Sequence, residues 1–331
     1  MPKSLKDTDY LSISTRVRAM ESKLLTRERR SRMVEARSDE EAAKVLTECG
    51  YDELSSLTPA HLDGMLSQAR EAVYQDLGTA VPDGRLLDVF RMKYDYHNAK
   101  TLLKATAMGV DAARLLSGGG RYRAEKLAED FRREELRDYT PAFREAITRA
   151  REVLGATGDP QQADFLLDKA YFEEMRASAA QSGSAFLQGY VKLMADVANL
   201  RSAVRAARMG KGPDFLAKAL VPGGNVAEST ILSAKSGDLT GLFRRGRLGE
   251  AAAAGAALSG GGSFTAFERL CDNALNDYVL QAKRVPFGEQ PVLGYLFARE
   301  AELTAIRTIL SGRMAGLSAE TIRERLRDPY V

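Results

Sequence analysis

Three stretches of this chain keep an acid, a base and a glycine in one register. Asp95, Lys100 and Gly109 recur 101 residues later as Asp196, Arg201 and Gly210, and MKYDYHNAKTLLKATAMG aligns with LMADVANLRSAVRAARMG without a gap. A third copy fits 106 residues after the second, with Glu302, Arg307 and Gly316 in the same columns. Leu86, Leu187 and Leu293 also keep register, while Asn98 and Asn199 give way to Ala305. Intervals this long point to duplicated small domains, since solenoid repeats recur every 20–50 residues or so.

Each copy has the spacing of a helix. In the third, Leu293, Leu296, Phe297, Leu303, Ile306 and Leu310 recur at helical intervals. Pro291 suits a first turn, where its missing N–H is not needed. A helix of about 22 residues there would be roughly 33 Å long, a spine for its domain. Five residues turn about 140° around a helix, so the acid and base of each copy do not face one another along it. Each is expected to pair with a neighbouring helix.

The rest of the chain reads as helices with ordinary caps. Tyr10, Ile13, Val17, Met20 and Leu24 make a narrow apolar seam on a long helix over residues 9–37, suited to packing within the chain or to a coiled-coil partner. Ser38 opens a short helix over 39–48, and Thr58-Pro59, Thr140-Pro141, Asp159-Pro160, Ser184 and Ser318 mark further starts. Helices are also expected over residues 111–116 and 123–139, and Asn225 is expected to cap the helix that follows it. No run alternates with the period of a strand, so the chain is read as all-α. The repeats divide it into residues 58–156, 157–260 and 261–331. The third is short, and residues 1–57 supply the helices it lacks if they pack onto it. That joins the chain ends and makes three similar helical domains about a pseudo-threefold axis.

Composition sets limits on function. The chain has 331 residues, 44% hydrophobic and 28% charged, with no Trp and a net charge of +3. This is globular composition without the concentrated basic face that nucleic acid demands. Cys49 and Cys271 are its two cysteines, which fits a reducing, cytoplasmic setting. Residues 1–10 have no apolar core for a signal peptide, and the uncharged run 251–267 is too short and too rich in Ala and Gly to span a bilayer. Any membrane association is therefore expected to be peripheral.

No catalytic, cofactor or metal constellation is expected. His61 and His97 are the two histidines, and His97 has Ala198 and Thr304 in its column of the other copies. Two His and two Cys at these spacings match no zinc pattern. The glycines at 118–120 and 210–212 fit no phosphate loop. Arg205 and Arg208 on one helix face, with Arg244, Arg245 and Arg247 in a loop, are the candidate partner-binding residues.

Taken together these stretches resemble the C subunits of the V-type and A-type rotary ATPases, whose eukaryotic counterpart is the d subunit. The likeness is carried by YLSISTRVRAMESKLL, YDYHNAKTLLKA, YVKLMADVANLRSAVRAAR, FERLCDNALNDYVLQAK, PVLGYLFAREAELTAIRTILSGRMAGLSAETIRERL and the terminal DPYV. It implies an all-α, funnel-like body of three similar domains. It further implies a place on the membrane rotor ring, a seat for the central shaft, and transmission of torque without chemistry. Ala305 departs from the column set by Asn98 and Asn199. Two other classes stay open at this point: a helical scaffold of a different complex, and an enzyme with a site between domains.

Overall fold

The structure is a computed structural model describing residues 5–53, 56–234, 239–243 and 246–331. Sixteen α-helices run through the described residues, linked by turns and short 3₁₀ segments, and none of those residues forms a strand. In chain order they are α1 (Leu11–Glu21), α2 (Arg27–Glu35), α3 (Asp39–Lys44), α4 (Pro59–Gly78), α5 (Arg85–Met108), α6 (Ala124–Arg133), α7 (Pro141–Thr157) and α8 (Pro160–Ser182). There follow α9 (Ala185–Arg208), α10 (Pro213–Ala219), α11 (Glu228–Ser233), α12 (Leu239–Phe243), α13 (Gly249–Ala257), α14 (Phe264–Val279), α15 (Glu289–Met314) and α16 (Ala319–Arg325).

Local chemistry starts these helices. The side chains of Thr26, Ser38, Thr58, Thr140, Ser184, Ser263 and Ser318 each accept from the backbone N–H three residues on, and Asp159 from the one two residues on. Each satisfies a donor that the first turn leaves without an intrahelical partner. Proline follows the cap in α4, α7 and α8.

Four details differ from the sequence reading. The long N-terminal helix is broken: α1 ends at Glu21 and α2 begins at Arg27, with Leu24 and Leu25 buried in the break. Thr26 caps the new start, so the break has a local cause as well as a tertiary one. The helix expected over 123–139 stops at Arg133, because Glu134 turns left-handed (φ 61°) and sends Leu136 and Tyr139 back into the core. The segment at 111–116 is a single 3₁₀ turn, Ala113–Leu115. Ala227 is the cap residue of α11, and the Asn225 side chain is engaged elsewhere.

The chain forms two compact units. One joins Met1–Leu87 to Ser263–Val331; the other is Asp88–Gly262. In the first, α15 is the central element and packs against α1, α2, α3, α4, α14 and α16. Its Leu303, Ile306, Ile309 and Leu310 share a core with Leu25, Met33, Leu46, Leu62 and Leu66. The first and last segments of the chain thus bury one another. In the second unit, α7 and α8 form a long hairpin, and Phe143, Ile147 and Leu167 from it pack with Leu102 and Leu103 of α5 and Leu127 and Phe131 of α6. The rings of Tyr122, Tyr139 and Phe143 pack together there with centroids 4.6–5.9 Å apart, Tyr122 stacked on Phe143 and edge-on to Tyr139.

Candidate functional site

The three acids of the repeated register are all buried: Asp95 is 0% exposed, Asp196 3% and Glu302 1%. Each accepts a backbone N–H from a loop that lies elsewhere in the sequence. Asp95 on α5 accepts from Tyr122 (3.3 Å), Asp196 on α9 from Val226 (3.0 Å), and Glu302 on α15 from Leu25. In every case the donating residue lies two positions before a helix: α6, α11 and α2 respectively. A carboxylate inside the helix layer thereby fixes where the next helix enters.

The second oxygen of each acid takes a side chain. Arg121 donates to Asp95 (2.7 Å), Asn225 donates to Asp196 (2.7 Å), and Tyr51 donates to Glu302 (2.6 Å), where Arg299 also bonds. Close approach requires glycine in the first two. A Cβ on Gly120 or Gly224 would run into Oδ1 of Asp95 or Asp196. Glu302 reaches one methylene farther, and Lys23 stands two residues before Leu25 where those glycines stand before Tyr122 and Val226.

Charge balance differs between the two aspartates. Burial pushes the Asp95 carboxyl up to about 6, opposed by the Arg121 guanidinium and the Tyr122 N–H. Burial would lower Arg121, but its hydrogen bonds and attraction to Glu174 and Asp95 outweigh that and raise it. Glu174 itself faces a burial penalty, yet Arg121, Thr140 and Tyr96 all donate to it and hold it below the usual carboxylate range. Asp196 is raised by burial, and its partners are the neutral Asn225 and backbone N–H groups. These carboxylates spend their lone pairs on fixed donors, which makes them locks for loops.

The asparagine column works beside the lock. Asn98 exchanges two hydrogen bonds with the backbone of Ser117 (2.8 and 2.9 Å), and Asn199 does the same with Val221 (2.7 and 2.9 Å). Ala305 offers no such pairing.

The repeated bases lie on other faces of their helices. Lys100 pairs with Asp168 on α8 (2.6 Å), and Arg307 with Asp63 on α4 (2.9 Å). Arg201 is half-buried on α9. Gly109, Gly210 and Gly316 have φ of 65°, 63° and 70°, the left-handed conformation that closes α5, α9 and α15. Of the candidate partner-binding residues, Arg205 and Arg208 are exposed near the end of α9, and Arg247 is exposed in the turn before α13. Arg244 and Arg245 lie outside the described residues.

Cys49 and Cys271 are both buried and free. Burial and the nearby Glu302 charge push the Cys49 thiol up to about 11, which keeps it protonated and unreactive. Among the described residues, no group of three or more His, Cys, Asp or Glu is placed to hold a metal, and no helix is long and apolar enough to cross a membrane.

Residues 13–325 match the family model of the ATP synthase (C/AC39) subunit. The chain belongs to that family. Among the relatives of this C/AC39 chain is the V-type sodium ATPase C subunit of Enterococcus hirae, 22% identical over 97% of this chain and 99% of that protein. The A-type ATP synthase C subunit of Methanocaldococcus jannaschii is 26% identical over 96% of this chain and 86% of that protein. Its counterpart from Haloquadratum walsbyi is 26% identical over 94% and 96%. The C/AC39 chain is therefore part of a rotary ATPase, and the likeness runs through all three acid-bearing helices.

Proposed function

We propose that this chain is the non-catalytic connector of the central stalk in a V/A-type rotary ATPase. It joins the rotor shaft to the membrane rotor ring and carries torque for ATP-coupled H⁺ or Na⁺ transport. The observation that supports this best is the lock of Asp95, Asp196 and Glu302, each pinning the loop before a following helix. A coupler must resist twisting. Buried charge-assisted bonds between long helices and their loops supply stiffness without any accessible chemistry.

On this reading the domains are residues 58–156, 157–260, and 261–331 completed by 1–57, set about a pseudo-threefold axis as in a funnel. The contact of Leu25 with Glu302, and the shared core of α2, α3 and α15, support assigning the N-terminal helices to the third domain. The assembly sits at the cytoplasmic face of the membrane, held there by its partners.

The experiment is co-purification. A tagged chain recovered from native membranes should bring down the shaft and ring proteins of the rotary ATPase. Its removal should uncouple ATP hydrolysis from ion transport, with the head still hydrolysing ATP. Recovery without any other ATPase component would sink the proposal.

A further inference from the structure

Two methionines stand in the open at equivalent helix ends. Met108 ends α5 and is 73% exposed; Met209 follows α9 and is 55% exposed. They occupy one column of the repeat, each directly before its glycine, Gly109 or Gly210. Ala107, Gly109, Arg208 and Gly210 around them are exposed as well. The other methionines among the described residues are covered. Met33, Met92 and Met175 are 0–2% exposed, and Met20, Met65, Met194 and Met314 are half-buried.

The two side chains are not what closes their helices. The backbone does that: the N–H groups of Gly109 and Val110 donate to the carbonyls of Thr106 and Ala105, and those of Gly210 and Lys211 to Ala207 and Ala206. The left-handed glycine permits this closure at each end. No heavy atom lies within 4 Å of where a Cβ on either glycine would stand, so both tips are open to a reagent or an enzyme. The third copy differs. Ala315 holds the column before Gly316, and Met314, one position back, packs on the core of its own unit.

A thioether reacts with hydrogen peroxide wherever solvent can deliver it. The sulfur lone pair attacks one peroxide oxygen, and an S–O bond forms as the O–O bond breaks. The sulfur gives up two electrons and the peroxide takes them. The displaced hydroxide collects the proton of the transferred oxygen and leaves as water. The product is a polar, chiral sulfoxide, which methionine sulfoxide reductases return to the thioether, one enzyme for each epimer. Hydrogen peroxide is small and uncharged, so access, more than local charge, decides which methionine reacts. In this chain access singles out the same residue of two repeats.

We propose that Met108 and Met209 are a paired site of reversible oxidation by peroxides, at which two apolar helix tips become polar while the fold is untouched. The backbone closures at Gly109 and Gly210 keep their bonds, because no sulfur takes part in them. Met33 and Met175, fully buried, are shielded unless the chain unfolds. The site goes beyond the connector reading and does not depend on it.

The test treats the full chain with hydrogen peroxide, as wild type and as the double variant Met108→Leu with Met209→Leu. Peptide mass spectrometry follows each methionine with time. Met108 and Met209 should oxidise about tenfold or more faster than Met33, Met92, Met175 and Met314, as their exposure dictates. Circular dichroism and the unfolding temperature should hold their starting values until both tips are converted. Retention on a hydrophobic-interaction column should fall with conversion in the wild type and stay constant over the same interval in the double variant. The two classes of methionine sulfoxide reductase, added together after the peroxide is removed, should restore both residues in the folded chain. Equal rates for the tips and the covered methionines would overturn the proposal. So would unfolding that accompanies the first conversions, retention that does not change when both tips are oxidised, or sulfoxides that the reductases cannot reach in the folded chain.

Discussion

The backbone N–H of Leu25 donates to Oε2 of Glu302 across 277 residues of sequence. Tyr51 and Arg299 complete the environment of that carboxylate. Glu302→Ala would strand three buried donors, and we expect a loss of about 3–5 kcal/mol. Glu302→Gln keeps the shape and should cost less, about 1–3 kcal/mol. Urea unfolding of both variants, read by circular dichroism, checks the order. Equal losses would mean that the charge and its donors contribute nothing.

Gly120 and Gly224 should not tolerate a side chain. The added Cβ of Gly120→Ala or Gly224→Ala meets the locking carboxylate and would displace it, at about 2–4 kcal/mol each. Gly212→Ala is the control. Its surroundings are open and its φ is −81°, so the change should stay within about 0.5 kcal/mol of wild type. Thermal unfolding of the three variants separates the cases.

Asp95 predicts a pH dependence with a definite sign. Its ordinary value is 3.8, and burial raises it to about 6 in the folded chain. Between these values the folded state holds the proton more tightly. The group's contribution to stability is therefore greatest below pH 3.8, falls as pH rises towards 6, and is flat above. The stability difference between wild type and Asp95→Asn should shrink across that window by at most about 3 kcal/mol. Denaturation at several pH values measures it, and a difference rising with pH would refute it.

Asn199→Ala should cost more than Asn98→Ala. Both remove two bonds to backbone, but Val221 is buried while Ser117 is half-buried and has access to water. We expect about 2–3 kcal/mol for the first and about 1 kcal/mol for the second. Amide hydrogen exchange at Val221 and Ser117 reports each loss directly.

Arg244, Arg245 and Arg247 changed together to Glu should weaken assembly and leave the fold intact, because a cluster of cations close in sequence acts on a partner's approach more than on a fold. Pull-down with ring and shaft proteins measures the first effect and circular dichroism the second. Undiminished binding would remove these residues from the partner surface.

Much of the helical frame is legible in the sequence because its signals are local. Ser38, Thr58, Thr140, Asp159, Ser184 and Ser318 each cap a helix where the sequence places one. The acids stand out through their register. Their partners do not, because Tyr122, Val226 and Leu25 give only a backbone N–H, which every residue but proline has. The break at residues 22–26 is masked by Leu24, which continues the apolar seam of α1. Thr26 is the available signal there, a capping residue within an otherwise regular pattern. Asn225 reads as a cap because it precedes a helix, yet the buried Asp196 claims its side chain. Only the tertiary fold could decide between those roles.

The interleaving of both chain ends in one unit has a consequence for biosynthesis. Residues 1–87 leave the ribosome well before residues 263–331, with which they share their core. The Asp88–Gly262 unit has a core of its own and can close during translation, as domains commonly do. The opening helices must wait, their apolar seam uncovered, until Glu302 has been synthesised and released from the exit tunnel.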